Sequence, residues 1–157
     1  MTAPASTPSE PPVDLGQALA PGLLRRLAAL FYDALLLLAV LVVASILPLL
    51  ANGGETISHP LARLLFQLYL LLVVFVYFGW HWSHGGQTLG MRAWRLRALR
   101  SDGHAMGWGD ALKRFAAAGL ALLPLGLGLI WCLFDRDGLA WHDRLSASRL
   151  VLSAKRR

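Results

Sequence analysis

The chain has 157 residues, about one domain's worth. Hydrophobic residues make up 56% and charged residues only 15%, against about 25% charged in an ordinary soluble domain, so neither a soluble globule nor wholesale disorder fits. The net charge of +6 would suggest nucleic acid in a soluble protein but reports basic cytoplasmic loops beside anionic lipid in a membrane protein, and the single cysteine excludes an intrachain disulfide and a cysteine-based zinc site.

Residues 1–22 carry five prolines, two acids and no Lys or Arg. Such a stretch builds no core and reads as a disordered tail. It lacks the basic start and apolar middle of a signal peptide.

Three apolar blocks follow, over residues 27–50, 64–82 and 115–134. They are 24, 19 and 20 residues long, and the only Asp, Glu, Lys or Arg among them is Asp33. A helix needs about 20 residues to cross the hydrocarbon layer. The reading is an all-α integral membrane protein with two clear transmembrane helices. The third block is interrupted by Pro124, Gly126 and Gly128, which weaken a helix. It is either a kinked third span or a re-entrant hairpin.

Lys and Arg counts set the expected orientation. Residues 51–63 hold one, whereas residues 83–114 and 135–157 hold six each. The positive-inside rule puts the amino terminus and the 83–114 loop in the cytoplasm. A hairpin would return the basic tail, including residues 153–157, to the same side.

Asp33 stands about six residues into the first span, an expensive place for a carboxylate. It reads either as a transport or proton-exchange group or as a structural lock. Arg26, seven residues earlier, points the same way round the helix; the two could share one intervening partner. Taken alone, Arg26 reads as an interface anchor. His81 and His84 make a poor metal pair without a nearby third ligand, and the glycine-rich run after them lacks the Lys-Ser/Thr ending of a P-loop. Asp135–Gly138 lacks the rest of a calcium loop and reads as a solvated turn. No metal and no cofactor are expected. His142 and Asp143 could shuttle protons or bind Arg26 or Arg92. Residues 95–99 and 149–151 alternate apolar and polar, as short strands do; their pairing on a small cytoplasmic face would set Leu96 near Leu150. No serine or cysteine sits in a nucleophile motif, so the chain is not expected to be an enzyme.

Taken together, these pieces resemble the RDD family of small multi-pass membrane proteins. Arg26, Ala29 and Asp33 match its Arg-x-x-Ala-x-x-x-Asp. The Gly-Gln-Thr-Leu-Gly connector stands intact as Gly86, Gln87, Thr88, Leu89 and Gly90, followed by Met91 and Arg92 where the family often has Lys-Arg. His142, Asp143, Leu145, Ala147 and Ser148 resemble the closing His-Asp-x-Leu-x-Gly-Thr, with Ala-Ser in place of Gly-Thr. The resemblance covers residues 23–152 and implies Arg26, Asp33 and Asp143 as the family's charged residues. It also implies transport, with sodium–proton antiport in some members. The expectation is therefore a bacterial inner-membrane protein in contact with the lipid bilayer. Its charged cluster, Arg26, Asp33, Asp143 and His142, serves either cation–proton exchange, in an oligomer of this chain, or the locking of helices in a non-transporting adaptor or assembly factor. Nucleic acid is not an expected partner.

Overall fold

The computed structural model describes residues 13, 15, 18–55, 57–123 and 127–153. Most of the expected tail 1–22, the interruption at Pro124 and Gly126, and residues 154–157 lie outside them. Residues 18–22 are tied to the domain: the Leu19 carbonyl accepts the Leu152 N–H at 3.1 Å.

Two long helices dominate. α1 runs Leu23–Ala51 and α2 runs Pro60–Ser83, with a proline at its first position, where a missing N–H costs nothing. At 1.5 Å per residue they are about 43 and 36 Å long, enough to cross a membrane. A short loop joins them, and the Tyr69 hydroxyl donates to the Ala44 carbonyl at 3.2 Å. Their exposure pattern is inverted relative to a soluble helix. The buried residues of α1 are Arg26, Ala29 and Asp33, while Leu38, Val43 and Leu47 are 60%, 67% and 74% exposed. Water would penalise that outward apolar surface; hydrocarbon does not.

Beyond α2 the chain builds a compact cap. It holds α3 (Leu89–Ala93), β1 (Leu96–Arg100), α4 (Trp108–Leu122), α5 (Leu127–Ile130), a 3-10 turn (Trp131–Leu133), α6 (Trp141–Leu145) and β2 (Ser148–Leu152). The strands pair antiparallel, as their alternation suggested. Leu96 faces Leu152, and Leu150 faces Ala98, two residues along from the expected register. The segments extend further than the alternating runs, because ladder hydrogen bonds continue to Arg100 and Ser148. Ala29, Trp82, Met91, Leu96, Ala98, Met106, Ala111 and Leu150 form the core beneath the sheet.

The third apolar block is not one continuous helix. α4 ends at Leu122 after 15 residues, about 22 Å. α5 then packs back on it: a Cβ on Gly128 would lie 2.7 Å from the Ala121 Cβ. The molecule is thus mostly helical, with two helices long and apolar enough to span and one two-stranded sheet.

Candidate functional site

The first charged group gathers around Asp143, which is fully buried. It sits in the first turn of α6, where its Oδ2 accepts the Ala140 N–H at 3.1 Å. An acidic side chain there satisfies an otherwise orphaned helix donor. The same oxygen accepts Arg26 Nη1 at 2.8 Å, across 117 residues of sequence. Arg26 also donates through Nη2 to the Gly138 carbonyl at 2.7 Å and through Nε to the Pro21 carbonyl at 3.2 Å. Gly138 belongs to the 135–138 turn, which Asp135 closes by accepting the Leu139 N–H at 2.9 Å. Arg26 is therefore no lipid-facing anchor. It is 2% exposed, because its planar fork finds three inward acceptors that a headgroup would otherwise have to supply.

Arg114 completes this group. It comes from the middle of α4, and its Nη1 lies 2.8 Å from Asp143 Oδ1. The same guanidinium donates to Ser148 Oγ and lies over the Trp82 ring, 5.4 Å from its centroid. Sequence reasoning missed it, having counted it among the basic residues of a cytoplasmic loop. His142 Nε2 is 3.5 Å from Asp143 Oδ1. Burial, and then the charge of Arg114, push the His142 imidazole down to about 4, so it is neutral at physiological pH. Burial opposes ionisation of Asp143, but Arg114 and the other positive charges around it prevail and hold its carboxyl well below the usual carboxylate range.

Asp33 belongs to a separate contact set. It is 3% exposed. Its Oδ2 accepts the Thr88 hydroxyl, while Oδ1 accepts the Gly90 N–H at 2.9 Å and the Tyr77 hydroxyl at 3.2 Å. All three donors are neutral. The shared helix face of Arg26 and Asp33 thus does not lead to a shared polar partner: Arg26 turns to α6 and Asp33 to the connector.

The connector explains its own residues. Gly86 has φ +72, and a Cβ there would collide with the Ala98 carbonyl oxygen; that carries a glycine for two reasons. Its carbonyl accepts the Ala98 N–H at 2.7 Å, fastening the connector to β1. Gln87 donates to the Leu96 carbonyl at 2.6 Å. Thr88 caps α3, accepting the Met91 N–H at 3.1 Å on the oxygen that donates to Asp33. Gly90 rides against α1 so closely that a Cβ would strike the Ala29 carbonyl oxygen and lie 2.8 Å from Asp33 Cγ. That approach also accounts for the small Ala29. Leu89 and Arg92 are exposed and take no part in either contact set. His81 and His84 turn to the carbonyls of Tyr77 and Trp80.

Arg26, Asp33, Arg114 and His142 nonetheless line one cleft of about 530 Å³ between α1, α2 and α4. Two exposed apolar helices, buried charges and a small two-stranded sheet define a small helical membrane protein with two candidate spans. The family model described as RDD family matches residues 20–147, and the chain belongs to the RDD family. No curated protein and no solved structure matches it significantly.

Proposed function

We propose that this chain is a non-enzymatic adaptor or assembly factor of a bacterial inner membrane, in which the family's charged residues lock the helices. One observation carries the reading: Arg26, Asp33 and Asp143 are each consumed by tertiary contacts, to Gly138, Thr88, Gly90 and Arg114 among others. A carboxylate that accepts three fixed donors is a poor carrier, because releasing it breaks the joint between α1 and the connector. The amino terminus, α3, α6 and the β1–β2 sheet lie in the cytoplasm, and residues 115–134 re-enter rather than span. The pairing of β1 with β2 supports this, since it keeps two basic segments on one side, as the positive-inside bias asks. The basic face then meets anionic lipid or a partner protein.

Cation–proton exchange is the second reading, favoured by Asp33 and Arg26 sharing the wall of the cleft. Asp33→Asn separates the two. Asparagine keeps the shape but cannot titrate, and its amide would oppose the Thr88 hydroxyl. The lock predicts a less stable protein with no sodium- or potassium-driven proton flux in proteoliposomes for either form. Flux in the wild type that disappears in a stably folded Asp33→Asn would overturn the lock.

A further inference from the structure

The cleft has a use that neither reading assigns. Its wall is apolar along the spans, with Leu37 and Val74 among its residues, and charged at one end, where Arg26, Arg114 and Trp82 meet. On α1 it extends from Arg26 to Leu37 and on α2 from Trp82 back to Leu71. Each stretch is twelve residues, eleven rises or about 16 Å of helix, close to the ~15 Å depth of one leaflet's hydrocarbon. The volume of about 530 Å³ falls inside the roughly 300–1,000 Å³ range of ligand sites.

Three features of the charged end ask for an anionic head. Two guanidiniums meet a single carboxylate in the Arg26–Asp143–Arg114 triad, and the second carboxylate on the wall, Asp33, is held apart from them by neutral donors of α2 and the connector. The buried Arg114 Nε has no hydrogen-bond partner among the described residues. Neither has the indole N–H of Trp82, on the same wall. Unpaired buried donors are costly, and a small tilt of either side chain toward an oxygen-rich head relieves them. At the apolar end no water is at hand within hydrocarbon, and an unfilled wall forfeits dispersion contacts.

We propose that the cleft seats one acyl chain of an anionic phospholipid, with phosphate and ester oxygens at Arg114 and Trp82. The bound lipid is a built-in part of the fold, threaded between α1, α2 and α4 rather than lying against their outer faces.

The test uses the full chain in nanodiscs of phosphatidylethanolamine and phosphatidylglycerol, with a phosphatidylglycerol carrying a mid-chain diazirine. After illumination, adducts are mapped by mass spectrometry. Adducts are expected to concentrate on Leu37 and Val74 over the outward-facing Leu38 and Leu72. Unlabelled phosphatidylglycerol should compete them away and inorganic phosphate should not. Gly119 lines the cleft, and a Cβ there meets nothing within 4 Å. Gly119→Leu should therefore fill the cleft and bring the inner adducts down to the outer level, leaving the outer ones unchanged. Trp82→Phe keeps an aromatic face for Arg114, though a smaller one, and removes the donor; exchange of the bound lipid should quicken about three- to tenfold, the worth of one hydrogen bond. Equal labelling inside and outside, or labelling indifferent to Gly119→Leu, overturns the proposal. So do protein–protein adducts at Leu37, which would assign the cleft to a second copy. Unchanged exchange in Trp82→Phe overturns the placing of the head.

Discussion

Replacing Asp143 by alanine leaves Arg26 and Arg114 side by side, 2% and 4% exposed, with no carboxylate between them. Arg26 keeps the carbonyls of Pro21 and Gly138, which are dipoles and not counter-charges. Breaking a buried pair by removing one partner costs about 3–5 kcal/mol. The orphaned Ala140 N–H adds to this, though not additively, since α6 can shift as the pair breaks. We expect a loss of about 4 kcal/mol, a large share of the roughly 5–15 kcal/mol that holds an ordinary domain together. Asp143→Asn should cost nearly as much despite its matching shape, because the charge is lost and an amide N–H would point at a guanidinium.

The measurement is unfolding in mixed detergent micelles against rising SDS fraction, followed by tryptophan fluorescence. Trp82 lies under the Arg114 guanidinium and, in a background where the other five of the six tryptophans are phenylalanine, reports the site. Arg26→Ala and the double variant close a cycle, whose coupling should be about 1–3 kcal/mol. A cost below about 1 kcal/mol with no coupling would be the behaviour of an exposed pair, and would refute the claim that the triad holds α1, α4 and α6 together.

Gly90→Ala should destabilise by about 1–3 kcal/mol in the same assay, because the new methyl meets the backbone of α1 rather than a yielding side chain. Ala147 is exposed with φ +46, so Ala147→Gly should stabilise by about 0.5–1 kcal/mol, the αL strain less glycine's extra entropy; a loss would contradict that conformation. His142 has a folded-state pKa of about 4 against 6.5 unfolded, so between those values the unfolded chain binds the proton and the folded one does not. Stability should be complete above pH 6.5 and fall by at most about 3 kcal/mol on acidification to pH 4, with His142→Gln flattening that slope.

The two candidate spans were legible from composition: runs such as residues 64–82 are long and apolar enough to cross a membrane. The strands were legible from alternation, but their register was not, since Leu96 could face Leu150 or Leu152 without changing the pattern. Arg95 before β1 and Ala147 before β2 both turn with positive φ, a conformation that leaves no mark in an arginine or an alanine. The connector was legible as a motif and opaque as a mechanism. Nothing in Gly-Gln-Thr-Leu-Gly says that its Thr and second Gly meet a carboxylate more than fifty residues upstream.

Arg114 shows where sequence reasoning runs out. A basic residue in a loop rich in them is already accounted for by orientation, so its count conceals its role. The distinguishing sign was available but weak: Arg114 falls one position before the apolar block at residues 115–134, on a helix whose other buried positions, Ala111, Ala117 and Ala121, are small. Small neighbours on one helix face let a partner approach closely, and a long cation on that face must then point into the protein. The same logic holds for Arg26, three residues from Ala29 and seven from Asp33 on the buried stripe of α1. In a chain whose greasy surface faces outward, polar residues flanked by alanine and glycine mark the interior. Charge read by helix face, against the small residues beside it, finds the site that charge counted by loop conceals.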